Sequence, residues 1–259
     1  MPSTTESRNL SLQEKEAFVR SALSEMARHT FGCICSVIGV VDQKTGRHYG
    51  SALRCMLDGR RAILTALHVI EAARQEPLGL AISAGYARPP YIVHGPVNID
   101  RVADMAVYFL PDDYPSAEIA VWPSTRIDHK LERLSTDYLF VHGFPGANSD
   151  SSRLLGGVLS KSLPYGAMQR LENLPPDLNR FQFAVEYDPV GIVNETGSPE
   201  DVVDPRGLSG SPVWRIGISG RSLHDWTPSD SLLAGVLTQW RPNEKILIAT
   251  SMDNLPATW

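Results

Sequence analysis

The segment R-G-L-S-G-S-P-V-W, which spans Arg206 to Trp214, is the most informative part of this sequence. Ser209 has one glycine two residues before it and another directly after it. Glycines let a backbone turn tightly and approach a bound molecule without a Cβ in the way. Two further segments lie upstream: L-T-A-L-H, which ends at His68, and D-M-A-V, which starts at Asp104. Histidine, aspartate and serine therefore follow one another in that order.

These are the residue types that a nucleophilic serine requires. A serine hydroxyl reacts poorly at neutral pH unless a neighbouring base takes its proton. Histidine suits this role because its pKa lies near the operating pH, and an aspartate on the far ring nitrogen holds the tautomer. The N–H groups of Gly207 and Ser209 are candidates to bind the developing oxyanion, an effect of about 3–4 kcal/mol per donor in such sites.

Read together, the three segments resemble the catalytic triad of chymotrypsin-type serine peptidases, which has the same order along the chain. The resemblance covers residues 31–255. It implies an all-β chymotrypsin-like fold of two six-stranded antiparallel barrels, preceded here by an amphipathic helix. The active site would lie between the barrels, with His68 and Asp104 from the first and Ser209 from the second. Gly207 and Ser209 would form the oxyanion hole.

Each triad residue has an alternative interpretation. His68 alone would be read as a core histidine at a strand end, and the two other motifs favour the catalytic role. Asp100 competes with Asp104 as the residue that orients the imidazole; we choose Asp104 because the apolar alternation after it places it at a strand start. Ser211 competes with Ser209 as the nucleophile, but only Ser209 has the flanking glycines, which favours a structural role for Ser211.

Further segments are similar to bacterial Deg/HtrA-type and other intracellular trypsin-like peptidases. These are D-M-A-V, V-H-G-F-P-G (Val141 to Gly146) and L-A-G-V-L-T (Leu233 to Thr238). Zymogen-activated relatives have an aspartate just before the nucleophile, which captures a newly cut N-terminus. This chain has Leu208 there, so the resemblance predicts activity without N-terminal trimming.

The resemblance also assigns a substrate pocket to Val203, Asp204, Thr238 and Trp240. Trypsin-like enzymes that cleave after Lys or Arg have an aspartate six residues before the nucleophile, where this chain has Val203. Asp204 is either an alternative pocket anion or a solvated side chain. Trp240 aligns where large-pocket relatives have glycine. Its bulky side chain would narrow the entrance of the substrate pocket and exclude aromatic side chains. We expect cleavage after small or medium apolar residues such as Ala or Val.

Composition excludes several classes of protein. The chain has 259 residues, of which 42% are hydrophobic and 20% charged, as in a soluble globular protein. A net charge of -5 argues against non-specific nucleic-acid binding. No apolar run approaches the roughly 20 residues that span a bilayer, and the N-terminal residues lack the apolar core of a signal peptide. We therefore expect no membrane partner.

The cysteines point to a reducing compartment. The chain has three cysteines, Cys33, Cys35 and Cys55, so they cannot all pair within it. Cys33 and Cys35 are two residues apart and would share one face of an apolar strand. Buried free thiols are the favoured interpretation, with a metal or redox role as the alternative. Secreted relatives have a bridged cysteine directly after the catalytic histidine, where this chain has Val69. The expected location is cytoplasmic.

Hydrophobic periodicity predicts a β-rich body, and the resemblance together with an irregular polar stretch after Pro111 implies four regions. A capping box at Ser11 opens an amphipathic helix that runs to about Arg28. Its apolar face is expected to pack on the body, with docking of a regulatory protein as the alternative. Asp58-Gly59 predicts a tight hairpin. The regions are an N-terminal helical extension (1–30), a first barrel (31–111), a connection (112–136) and a second barrel (137–259).

The functional prediction is a regulated serine endopeptidase that acts on a protein or peptide. Its alternative is a catalytically silent pseudo-peptidase that binds proteins, and esterase activity alone would use the same triad. The remaining histidines have no zinc-site spacing, so we expect no metal and no cofactor. His142 is interpreted as packing in a turn rather than lining the cleft.

Overall fold

The computed structural model describes residues 12–83, 90–112, 114, 120–128, 138–146, 149–151, 158–160, 162–187, 204–218 and 225–255. Helix α1 spans Leu12–Phe31 and buries Ala22, Met26 and Ala27. It continues beyond the predicted end because Thr30 is fully buried: its hydroxyl donates to the Met26 carbonyl oxygen within the helix, and its oxygen lies 2.7 Å from His142 Nδ1 of the second half, which ties the last turn to the body. The predicted capping residue Ser11 lies outside the described residues.

The first half of the molecule is one antiparallel sheet of seven strands. Its strands are β1 (Ile34–Val40), β2 (Gly46–Leu57), β3 (Arg60–Ala66), β4 (Leu80–Ile82), β5 (Tyr91–Ile92), β6 (Asn98–Asp100) and β7 (Met105–Phe109). They lie in the order β5-β4-β1-β2-β3-β7-β6. The predicted β2–β3 hairpin is present: Asp58 and Gly59 have φ of 48° and 72°, as a two-residue turn between twisted strands requires. Helix α2 (Leu67–Ala73) directly follows β3.

The second half contains a closed barrel of six strands. The described strands are β8 (Tyr138–Gly143), β9 (Ser149–Ser151), β10 (Val158–Ser160), β11 (Leu163–Arg170), β12 (Gln182–Glu186), β13 (Pro212–Arg215), β14 (Leu232–Arg241) and β15 (Ile246–Ser251). The barrel order is β11-β12-β15-β14-β13-β8, and β9 pairs with β10 separately. All of these pairs are antiparallel.

The expected all-β architecture with an N-terminal helix is confirmed, with one difference in the first half. Instead of a closed six-stranded barrel, the described residues form a seven-stranded sheet that ends at β5 and β6. These strands have only two and three residues, too few for an alternating pattern. β11 was not predicted as a separate strand because Pro164 and Gly166 interrupt its alternation. A Cβ on Gly166 would lie 2.5 Å from a Leu23 methyl carbon, so this glycine lets α1 pack on the barrel.

The two halves share an apolar seam that also holds the connection between them. Trp122, from the connection, packs edge-on against Trp214 of β13, with ring centroids 5.5 Å apart. The Trp122 backbone bridges Cys55 of β2, and Ile127 bridges Leu233 of β14. Burying these side chains fixes the two halves against each other. The four region boundaries stay predictions.

Candidate active site

His68 and Asp104 are brought together where β3 ends and β7 begins. His68 lies in the first turn of α2, and its Nδ1 is 2.7 Å from Asp104 Oδ2. The His68 backbone N–H donates to the other carboxylate oxygen at 3.0 Å. The Leu67 N–H donates to the Asp104 carbonyl oxygen at 3.1 Å. One aspartate therefore holds both the backbone and the ring of the histidine, and the ring leaves Nε2 for another partner.

The backbone of Asp104 is in an uncommon conformation that aims its side chain. Its φ is 51°, in the left-handed region that few residues other than glycine adopt, although aspartate tolerates it better than most. Asp100, the alternative orienting residue, is used differently: its Oδ1 accepts the N–H groups of Val102 and Ala103 and caps the turn before β7. The His68 and Asp104 side chains are 47% and 32% exposed, so a ligand can reach the pair from solvent.

The loop that carries Ser209 packs against strands β2 and β3 of the first half. The Ser209 carbonyl oxygen accepts the Ser51 N–H of β2 at 2.8 Å. Gly210 has a φ of 84°, and a Cβ there would lie 2.0 Å from the Ser51 oxygen and 2.2 Å from Thr65 Oγ1. Thr65 precedes His68 by three residues on β3. The close approach that Gly210 permits therefore places the serine loop beside the strand that leads to the histidine.

The neighbours of Ser209 anchor this loop in the second barrel. Leu208 is 1% exposed and belongs to the barrel core, which explains an apolar residue at this position. The Gly210 N–H donates to the Leu237 carbonyl oxygen at 2.7 Å. Ser211 is fully buried, and its Oγ lies where a side chain on Gly143 would have to be. Ser211 is inaccessible to a substrate, whereas Ser209 is half-buried.

The direction of the Gly207 N–H is set by the peptide group that joins it to Arg206. Its φ is 94°, and the preceding Arg206 carbonyl oxygen accepts the Gly146 N–H at 2.6 Å. Because C=O and N–H point in opposite directions in a trans peptide, the Gly207 N–H points away from Gly146. Within the described parts of the chain, neither this N–H nor that of Ser209 has a hydrogen-bond acceptor. Both are free to bind a ligand.

Three side chains behind Gly207 were not identified from the sequence. Ser51 Oγ accepts the Phe144 N–H at 2.8 Å and donates to the Gly207 carbonyl oxygen at 3.3 Å. His48 Nε2 approaches the same oxygen at 3.4 Å, and its Nδ1 lies 2.6 Å from Ser36 Oγ. Burial lowers the pKa of His48. The available signal was Ser36 in the middle of an otherwise apolar strand, since a buried hydroxyl needs a partner.

The residues that the sequence assigns to the substrate pocket differ in their contacts and burial. Asp204 binds the Arg206 backbone N–H at 3.0 Å and the Arg206 guanidinium, and these bonds lower its pKa. Trp240 packs edge-on against Tyr187, with ring centroids 5.1 Å apart. Thr238 is buried at an irregularity in the β14–β15 pairing and donates to a backbone oxygen of β15. Val203 lies outside the described residues.

The three cysteines are unpaired and buried. Burial raises the pKa of each, to about 11 for Cys33, so they are weak nucleophiles at neutral pH. In the part of the chain that the structure describes, no group of three His, Cys, Asp or Glu side chains could hold a metal ion. His142 lies in strand β8 and not in the predicted turn, because its ring is fully buried and hydrogen-bonded to Thr30 and Ser162.

Comparisons with known proteins identify the fold. No protein family model matches the sequence, and no curated protein matches it. The structure is similar to the Rv3671c protease from M. tuberculosis in its active form, with a TM-score of 0.50 and 13% identity, covering 90% of this chain and 81% of that one. It is also similar to the scabies mite inactivated protease paralogue S-I1, with a TM-score of 0.51 and 15% identity, covering 86% and 90%. The chain has a chymotrypsin-like protease fold.

These similarities stop at the fold. At such low identity they do not assign an activity, and one of the two proteins is described as inactivated. None of the helices in the described residues has the length and apolar character that a membrane crossing requires. The activity of this chain depends on its own side chains and not on its fold.

Proposed function

We propose that this chain is a serine endopeptidase that cleaves peptide bonds through an acyl-enzyme, with Ser209 as nucleophile, His68 as general base and Asp104 as the residue that orients it. The observation that carries the proposal is the 2.7 Å hydrogen bond between His68 Nδ1 and Asp104 Oδ2. It leaves Nε2 as the basic nitrogen, at the end of the strand against which the Ser209 loop packs. A carboxylate in this position also stabilises the imidazolium that forms during attack.

In the acylation step, the Ser209 hydroxyl attacks the substrate carbonyl carbon while His68 Nε2 takes its proton. The carbonyl oxygen becomes an oxyanion, which the N–H groups of Gly207 and Ser209 bind. Donors fixed in advance stabilise this charge without reorganising, and one such donor contributes about 10²–10³ in kcat. The tetrahedral intermediate then collapses: the C–N bond breaks, and His68 returns the proton to the leaving amine.

In the deacylation step, water replaces the amine. His68 Nε2 takes a proton from this water, which attacks the ester that links the acyl group to Ser209. The second tetrahedral intermediate uses the same two N–H groups. When it collapses, the proton returns to Ser209 Oγ, and the acid product and free enzyme are released. No metal or cofactor has a role in this scheme.

We propose a preference for small or medium apolar residues on the acyl side of the cut bond. Asp204 is already paired with Arg206, which reduces its value as an anion for a substrate Lys or Arg. Trp240 packs edge-on against Tyr187, a contact that favours its present position over one that would admit an aromatic side chain. Both observations support the specificity that the sequence predicts.

We further propose a regulated intracellular enzyme of the Deg/HtrA-like group, on the strength of D-M-A-V and V-H-G-F-P-G and of three free thiols. Docking of a regulatory protein on α1 stays the less favoured alternative, because Ala22, Met26 and Ala27 pack against the body. The exposed side of this helix carries polar residues such as Glu25 and Arg28, which form a pair with each other.

A fluorophosphonate probe tests the proposal, because it reacts only with an activated serine. The wild type should be labelled, whereas Ser209→Ala and His68→Ala should both lose nearly all labelling, since triad residues act as a unit. Ser211→Ala is the matched control: it removes a neighbouring serine hydroxyl that is buried, and labelling should persist. Labelling of Ser209→Ala at the wild-type rate would refute the assignment.

The same experiment decides between the alternatives. A pseudo-peptidase would leave the wild-type protein unlabelled despite a folded state. An enzyme restricted to esters would be labelled and would hydrolyse an ester, but would leave casein uncut. Digestion of casein followed by identification of the new N-termini would establish both endopeptidase activity and the preferred cleavage position.

A further inference from the structure

We infer that His48 is a positioning residue for the oxyanion hole: its ring holds the Gly207 carbonyl group from behind and thereby keeps the Gly207 N–H directed at the reacting carbonyl. The inference rests on the proposed function. His48 does not contact the substrate site itself, so its contribution would be made through the backbone of Gly207.

The need for such a residue follows from Gly207 itself. Its φ of 94° is unfavourable for any residue with a Cβ, and a Cβ there would lie 2.4 Å from the Gly146 nitrogen. Only glycine fits, yet glycine has the greatest backbone freedom of all residues. The peptide groups on its two sides must therefore be restrained by neighbours if its N–H is to keep one direction.

The peptide group before Gly207 is restrained by the 2.6 Å hydrogen bond from the Gly146 N–H to the Arg206 carbonyl oxygen. The peptide group after it is restrained at its oxygen by Ser51 Oγ and His48 Nε2, at 3.3 Å and 3.4 Å. Fixing both peptide planes fixes φ and ψ of the glycine between them. Loss of His48 would leave the Gly207 oxygen with one side-chain donor, the Ser51 hydroxyl, whose oxygen accepts the Phe144 N–H.

The surroundings of His48 select the form of the ring that can do this. A carbonyl oxygen only accepts, so the contact with Gly207 requires a proton on Nε2. The Ser36 hydroxyl lies 2.6 Å from Nδ1 and can donate to it, which is the arrangement that the Nε2–H tautomer needs. Burial lowers the pKa of His48 and so favours the neutral ring. Ser36, His48 and Gly207 thus form one directional chain that ends at the loop.

The test compares His48→Leu and His48→Gln with wild type. Leu fills part of the space without a donor, whereas the Gln side-chain amide places an N–H near the position of Nε2. We measure kcat and KM on a fluorogenic peptide chosen by library profiling, the rate of fluorophosphonate labelling, and the melting temperature. We expect His48→Leu to lower kcat and the labelling rate about 10- to 100-fold, part of the loss that follows removal of an oxyanion donor. KM should change less than about twofold, because the lost interaction belongs to the transition state, and His48→Gln should recover most of the rate.

His142→Leu is the matched control, because His142 is also buried and hydrogen-bonded through both ring nitrogens, but to Thr30 and Ser162. It should lower the melting temperature and leave kcat of the folded protein near wild type. Wild-type kcat in His48→Leu, no recovery in His48→Gln, or an equal loss of kcat in His142→Leu would each overturn the inference. A wild-type protein that the probe does not label would overturn the proposed function itself, and this inference with it.

Discussion

The buried histidine His142 should make the fold sensitive to mild acid, and the size of the effect follows from its surroundings. Thr30 Oγ1 donates to the Met26 carbonyl oxygen, so it accepts from His142 Nδ1–H at 2.7 Å. Nε2 then accepts from Ser162 Oγ at 3.1 Å. The neutral ring is fully satisfied and has no contact with water. A proton on Nε2 would create a buried charge with no anionic partner in these contacts.

Burial lowers the pKa of His142 from 6.5 to about 3. Between these values the unfolded chain binds a proton that the folded chain does not. The free energy of unfolding therefore falls as the pH drops below the unfolded pKa, and the loss continues until the folded ring is protonated. The slope approaches about 1.4 kcal/mol per pH unit, so lowering the pH from 8 to 5 should remove about 2 kcal/mol through this residue alone.

Urea unfolding followed by tryptophan fluorescence measures this effect at a series of pH values. His142→Gln removes the titrating ring; the variant should be less stable than wild type at pH 8, and the difference should shrink by about 2 kcal/mol at pH 5. Thr30→Val is the control, because it removes one partner but keeps the ring: it should lose stability and retain the wild-type pH dependence. A difference between wild type and His142→Gln that stays constant from pH 8 to 5 would refute the reasoning.

Three further predictions concern activity. Asp104→Asn should leave the fold intact and lower kcat by about 10⁴-fold, because an amide favours the wrong tautomer of the histidine; near-normal kcat would point to another orienting residue. Since Leu208 is packed in the barrel core, the protein should label with fluorophosphonate before any N-terminal cleavage, which mass spectrometry of the labelled protein checks. Trp240→Gly should widen the pocket and shift a peptide-library profile from small apolar towards aromatic residues. Dominant wild-type cleavage after Lys or Arg would instead identify Asp204 as the pocket anion.

Much of the fold was predictable because its strands carry local signals. β14 and β15 are long, apolar and bounded by turn residues, and the Asp58-Gly59 turn needs only two residues with positive φ. The short strands β4, β5 and β6 were not predicted, since two or three residues cannot display a period. They exist because neighbouring strands offer unpaired backbone groups, which is a property of the assembled sheet.

His68, Asp104 and Ser209 could be selected as candidates from the residues alone, because the chemistry of a nucleophilic serine restricts the residue types, their order and the glycines that flank the serine. The groups that support these three residues can be identified only in the folded chain. Asp104 rather than Asp100 binds the histidine because its backbone adopts a positive φ at the start of β7. Gly207 is held by Gly146 and His48, which are far from it along the chain. Such contacts depend on how distant strands pack, and no local pattern of residue types encodes that packing.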